Sequence, residues 1–500
     1  MGRAAHRLRA GHRRTARGLM SAHVAAVPVA LLLAALVAAC GGEGKAAAPD
    51  PGSTLSATLA DPDGDGALAA GPGEPLRDRG GSARPGRTLA TFAQITDAHV
   101  RDEESPARTP FLDRLGGPFT STFRPQEALS AQVLAATVRA VNRARPQAVF
   151  VTGDIVDNAQ EDELATALAV LDGGRVDPDS GARGYEGVQA ASQPDPFYYR
   201  PANDAPRRRG LLAAAQRPFR APGLAAPWYA ALGNHDLLAQ GEVPPTAQID
   251  AVATGGRLVT GLDPRDPAVR AALDRRESSA AAVRDLLASG LPGRSQTVAA
   301  DPRRRLLTPA GLIGRLPRGA QEAVPGRLDY TVDLGRSARA LVLDTVDRAG
   351  GADGRVEPGE AAWVRRALAA AGDRWVVVFA HTPLERAPGG EAVLRALDAH
   401  PRVVAVVSGD RHRNTIAARG RYWLVGTSSL ADYPQQARAF RLVATAGGGA
   451  ALETWMLDHD GRGLAGVARE LAFLDAQGGR PQGFAGRPAD RNARLHVGAP

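Results

Sequence analysis

Five short stretches of the sequence hold side chains of the types that bind divalent cations. Asp97 and His99 stand two apart, and Gly153-Asp154 is followed by Asp157. Gly233 precedes Asn234, His235 and Asp236, His381 stands alone, and Gly409 leads Asp410, Arg411 and His412. Carboxylate, amide and imidazole donors suit Mn, Fe or Zn ions. Successive alternate residues of an extended chain share a side, so Asp97 and His99 are expected to face one ion together. A pair of such ions supports hydrolysis by neutralising developing negative charge and by lowering the pKa of a water. Singly, each stretch reads equally as a capped turn, and Gly153 and Gly233 as ordinary turn glycines. The information lies in the order of all five.

Each stretch follows an apolar, β-prone run. Phe92–Thr96 leads into Asp97, Ala148–Thr152 into Gly153, Trp228–Leu232 into Gly233, Trp375–Ala380 into His381, and Val403–Ser408 into Gly409. Continuous apolar runs of this length suit strands buried on both faces and covered by helices. Helical patterns at 126–143, 161–171, 360–371 and 391–399 fall between some of them. Sites in open α/β sheets form beyond the carboxyl ends of strands, so five such strands would bring their terminal residues together.

In this order (Asp-x-His, Gly-Asp-x-x-Asp, Gly-Asn-His-Asp, a lone His, Gly-x-x-His) the sequence resembles the calcineurin-like metallophosphoesterase superfamily, over roughly residues 89–460. The resemblance implies an α/β fold, a two-sheet sandwich flanked by helices, and two divalent metal ions that clamp a phosphoester. It implies that Asp97, His99 and His412 hold one ion, that Asn234 and His381 hold the other, and that Asp154 bridges them. It also implies that His235 protonates the leaving alkoxide or steadies the transition state. Asp236 is placed to orient that imidazole, and Asp157 to support the ligands from behind. The family pattern has His where this chain has Asp410. A carboxylate there is a harder, anionic ligand, which favours Mn over ions that prefer imidazole. Arg411 could bind phosphate, but in extended chain it would point away from its two neighbours, so a solvated or structural arginine is expected.

The bulk composition bounds the remainder. Hydrophobic residues make up 44% of 500, enough for a large core. The formal charge of +8 would suit a nucleic-acid partner. However, six arginines (Arg3, Arg7, Arg9, Arg13, Arg14 and Arg17) precede the expected cleavage point, and removing them brings +8 down to +2. No nucleic-acid partner is expected.

Residues 1–39 read as a signal peptide of the lipoprotein type: an arginine-rich start, an uncharged apolar run from Val24 to Ala39, then Val37-Ala38-Ala39-Cys40-Gly41, which resembles a bacterial lipobox. Cys40 is the only cysteine, so no intramolecular disulfide forms. The expected location is extracytoplasmic, with the chain anchored to the cell membrane through lipidated Cys40.

Residues 40–88, rich in Ala, Gly, Pro and Asp, read as a flexible linker. Within them Asp61-Pro-Asp63-Gly-Asp65-Gly66 begins like a calcium loop, but Pro72 stands where the bidentate Glu belongs, so a solvated acidic turn is expected. Residues 461–500 read as a C-terminal tail. The long inserts 173–227 and 237–326 are expected to carry local helices, one of them at 278–288, and to roof the site.

The function expected is an exported, dinuclear-metal-dependent hydrolase of small-molecule phosphomonoesters or phosphodiesters. The reading from another class is a membrane-anchored binding lipoprotein that keeps this fold with catalysis weakened by Asp410.

Overall fold

A computed structural model describes residues 52–115, 122–274, 279–477 and 483–500. The signal peptide, Cys40 and the start of the linker lie outside the described residues. In chain order the strands of the two large sheets are β1 (Arg77–Arg79), β2 (Pro85–Ile95), β3 (Ala148–Thr152), β4 (Trp228–Ala231), β5 (Tyr330–Leu334), β6 (Ala338–Leu343), β7 (Trp375–Ala380), β8 (Val403–Ser408), β9 (Thr415–Arg419), β10 (Tyr422–Gly426), β11 (Gln436–Thr445), β12 (Ala450–Asp458) and β13 (Ala493–Val497). The first sheet runs β1-β13-β12-β11-β2-β3-β4 and the second β5-β6-β7-β8-β10-β9. Strands β2, β3 and β4 are parallel, with Phe92 opposite Ala148 and Val149 opposite Trp228. Strands β6, β7, β8 and β10 are parallel as well. The site motifs therefore leave the same end of each sheet.

The sheets pack face to face. Phe379 of β7 stacks on Phe150 of β3 at 3.9 Å and meets Phe92 of β2 edge-on at 5.7 Å, while Phe92 stacks on Phe440 of β11 at 4.9 Å. Alternation along β7 explains how one apolar run serves two layers. Val377 and Phe379 enter the core between the sheets, and Val376 and Val378 join the outer core. Helices α3 (Glu360–Ala371) and α4 (Gly390–Asp398) close that outer face with Trp363, Val364, Leu394 and Leu397. On the first sheet, α1 (Ser130–Ala144) and α2 (Glu161–Leu171) contribute Val133, Leu134, Leu164 and Leu171.

The inserts carry local structure, including a helix at Ser279–Ala288 beside the expected 278–288. Insert residues Val243, Ile249, Val259, Leu286 and Leu287 form a separate small core with Phe111 and Leu112. Among the described residues, no helix is long and apolar enough to cross a membrane.

Two boundaries differ from expectation. Residues 52–88 are not a linker throughout: Ala57–Ala60 pairs with Ala69–Pro72, β1 joins the first sheet, and β2 begins at Pro85. Thr54 is buried, its hydroxyl bonded to the Met456 carbonyl and Asn492 Oδ1. Backbone pairing holds this segment, so its small, polar side chains give little hydrophobic signal. The acidic turn is present, with Asp61 Oδ2 accepting from the Gly66 N–H at 3.1 Å. Nor is 461–500 a tail. Helix α5 (Gly463–Gln477) packs Ala468 and Leu471 into the core, and β13 buries Leu495 and Val497 beside β12.

Candidate metal centre

The expected ligands converge at the carboxyl ends of the parallel strands, and the turns that aim them are strained. Asp97 (φ 52°), His99 (43°), Asp154 (47°), Asp410 (64°) and His412 (53°) all adopt left-handed backbone, which side-chain-bearing residues seldom take. The Asp97–His99 stretch is thus not extended, as the spacing suggested. It reaches the same end by a tight left-handed course. Glycine permits the close approach of neighbouring turns: a Cβ at Gly233 would lie 2.1 Å from Asp154 Oδ1, and one at Gly409 would lie 2.5 Å from Asp97 Oδ2.

Three groups of ligand atoms lie within 4.8 Å of one another: Asp97, His99 and His412; His99, Asp154 and His235; Asp97, Asp154 and His381. Asp154 Oδ2 stands 3.5 Å from His99 Nε2 and 3.3 Å from His381 Nε2, between the two ends of the cluster. Asp97 Oδ1 is 3.3 Å from His412 Nε2, and Asn234 Oδ1 is 3.2 Å from His381 Nε2. The Asn234 amide nitrogen donates to the Gly241 carbonyl, which turns its oxygen inward.

Each of these imidazoles has its Nδ1 against an oxygen acceptor. His99 Nδ1 donates to Asp157 Oδ1 (2.9 Å), His381 Nδ1 to the Thr152 carbonyl (2.9 Å), and His412 Nδ1 to Asp432 Oδ2 (2.5 Å). That fixes the ring orientation and turns each Nε2 toward the centre, the arrangement typical of metal-bound histidine. The donor set fits divalent cations.

Burial holds the His99 ring down at about 4, in its neutral form. Burial also opposes charge on His412, yet Asp97 and Asp432 outweigh it and push that imidazole up to about 9, so a cation binding here displaces a proton.

Behind the ligands lies an ion-pair network with no clear sequence signal. Asp157 pairs with Arg101 (2.7 Å), and Asp432 is gripped by Arg124 through Nε (2.7 Å) and a terminal nitrogen (3.0 Å). Glu127 joins the two halves, accepting from Arg101, from Arg108 and from the Arg124 N–H. Burial penalises both outer carboxylates, but Arg101 and Arg124 hold Asp157 and Asp432 well below the usual carboxylate range. Asp157 was expected behind the ligands, whereas Asp432 and the arginines were not. The one available hint was that Asp432 follows shortly after the apolar run of β10.

Asp236 is not where the sequence reading placed it. Its carboxylate accepts from the backbone N–H groups of Ile155 (2.8 Å), Val156 (3.2 Å) and Gly233 (2.8 Å), capping the short helix Asn234–Leu237 and locking it to the Asp154 loop. The His235 ring is oriented instead by the Asp157 carbonyl, 2.6 Å from Nδ1. The His235 side chain keeps 20% of its surface exposed at the mouth of the site.

Asp410 lies at the edge of the cluster. Its N–H donates to Asp97 Oδ1 (3.1 Å), while its Oδ1 is 3.9 Å from His381 Nε2 and belongs to none of the three groups. Burial raises its carboxyl to about 6. Arg411 is exposed, as expected.

Residues 90–414 match the model of the calcineurin-like phosphoesterases. The chain belongs to that family. Its members are metal-dependent phosphoesterases. Among solved structures this phosphoesterase is similar to a dimetal phosphatase from Danio rerio, at 14% identity and TM-score 0.39, over 74% of this chain and 97% of the other. It is also similar to a purple acid phosphatase from yellow lupin (Lupinus luteus) seeds, at 12% identity and TM-score 0.30, over 78% of this chain and 55% of the other. No curated protein sequence matches it.

Proposed function

We propose that this phosphoesterase hydrolyses small-molecule phosphomonoesters or phosphodiesters outside the cytoplasm, tethered by a lipid on Cys40, with two divalent ions as cofactors and Mn favoured. The observation that carries the hydrolytic reading is the meeting of the Asp97, His99 and His412 group with the Asp97, Asp154 and His381 group through shared Asp97 and close-lying Asp154. Asp97, His99 and His412 would hold one ion, Asn234 and His381 the other, with Asp154 between. Bound there, the ions would supply charge neutralisation at the phosphoryl oxygens and a nucleophile near neutral pH.

The chain's own groups supply orientation and a proton. Asp157, Asp432 and the Thr152 carbonyl fix the three histidine rings. His235, with Nδ1 donating to a carbonyl and its ring partly exposed, is placed to act as an imidazolium that gives its Nε2 proton to the departing oxygen and keeps the one on Nδ1.

Anchoring rests on the lone cysteine after an uncharged apolar run. Two experiments test the proposal. Turnover of aryl phosphate mono- and diesters with Mn²⁺ tests the chemistry. Membrane fractionation of Cys40→Ser, which should release the folded protein, tests the anchor. A mutant that stays with membranes, beside a wild type carrying no lipid, would remove the anchor.

A further inference from the structure

A cavity of about 520 Å³ lies on the outer face of the second sheet, beside the chain segments that carry the last two ligand motifs. It is bounded by the two segments that carry site residues, 383–386 just after His381 and Gly409–Arg411 just before His412. Its floor is apolar, with Val406 of β8 and Leu424 of β10, and among the described residues its charged wall carries the guanidinium groups of Arg386 and Arg411 and the carboxylate of Glu385. Phe484 completes it.

Phe484 comes from the C-terminal segment, and backbone contacts fix it beside the site. The Asn414 N–H donates to the Phe484 carbonyl at 2.8 Å, and the Asn414 amide donates to the Ala485 carbonyl at 3.2 Å. Asn414 is itself held by Arg438 and the Ser428 N–H. The Phe484 ring lies 6.2 Å from that of His412, tilted at 65°, and the side chain is only partly buried.

A half-exposed aromatic beside a metal-ligand histidine, over an apolar floor and with the Arg386 and Arg411 guanidinium groups in the same wall, suits a flat ring carrying negative charge. We infer that this cavity receives the organic group of the substrate, a ring-bearing group with an anionic substituent, with Phe484 stacking on the ring and Arg411 and Arg386 pairing with the charge. The inference rests on the phosphoesterase reading of the metal centre and adds the substrate class to it.

Non-hydrolysable phosphonates test it without requiring turnover. Calorimetric titration of the Mn²⁺-loaded protein should show phenylphosphonate binding roughly tenfold more tightly than methylphosphonate, with 4-carboxyphenylphosphonate tighter again. Phe484→Ala should erase the preference for the ring and leave methylphosphonate binding unchanged. Arg411→Gln should erase only the gain from the carboxylate. Equal binding of phenyl- and methylphosphonate, binding of neither, or a ring preference that survives Phe484→Ala would each overturn the inference. Ester turnover without ring preference would sink this inference and spare the hydrolase. Ring preference without turnover of any ester would do the reverse.

Discussion

His99 and His412 meet Nε2 to Nε2 at 3.3 Å, and each is held from behind by a different buried carboxylate, Asp157 for the first and Asp432 for the second. Two imidazole lone pairs do not converge at this distance without a cation or a proton to share. The placement depends on carboxylates that are themselves fixed by Arg101 and Arg124.

Removing the outer carboxylate on one side tests that dependence. Asp432→Asn should lower metal affinity by about 10–100-fold, because the His412 ring loses both its orientation and its basicity. Metal titration of the purified variant checks this. Ions held as tightly as in the wild type would show that His412 is positioned by other means.

Asp154, His235 and Asp236 occupy one loop cluster yet should fail differently. Asp154→Asn removes a buried charge between the two ends of the site and should lose metal and activity together. His235→Ala should keep its ions and lose turnover by about 10²–10⁴. Asp236→Ala leaves three backbone N–H groups without an acceptor and should cost stability, on the order of 1–3 kcal/mol for each that stays unpaired. Metal content, turnover and thermal unfolding of the three variants separate these outcomes, and equal metal loss in the first two would remove His235 from its proton-donating role.

Much of this site was legible because strand and ligand are adjacent in the chain. The run Trp375–Ala380 becomes β7, and His381 follows it directly. The pattern of Glu161–Leu171 gives α2 to the residue. Asp432 was not legible, since nothing local separates it from any other aspartate in a loop, and its role arises only when β10 brings it beside His412 and Arg124. The segment around Thr54 and strand β13 were missed for a related reason. Their stability comes from backbone pairing with β12 and its neighbours, distant in sequence and invisible to periodicity. Asp236 shows the opposite error, in which adjacency to His235 suggested a partnership that the backbone amides of another loop had already taken.

The C-terminal segment is structural. Truncation before residue 461 should expose the edge of β12 and remove the buried Leu495 and Val497, each worth about 1.5–3 kcal/mol on burial. The expected result is a protein that aggregates or lacks a cooperative thermal transition. A truncated protein melting like the full chain would contradict the placement of β13.

Asp410 sets the charge beside His381. Its carboxylate, 3.9 Å from His381 Nε2, adds a negative charge whose interaction with a nearby cation is on the order of 3 kcal/mol per unit of cationic charge, taking about 5 Å and an effective dielectric near 20. Asp410→His should therefore move metal preference from Mn²⁺ toward Zn²⁺, as read by competitive loading and metal analysis. An unchanged preference would mean that Asp410 stays clear of the second ion.

The most direct test of a dinuclear phosphoesterase is to strip the protein with a chelator and follow hydrolysis of an aryl phosphate ester as Mn²⁺ is returned. Activity should be absent in the stripped protein and should rise to a plateau at two equivalents of metal per chain. Two ions bound per chain with no turnover of any mono- or diester would contradict the account.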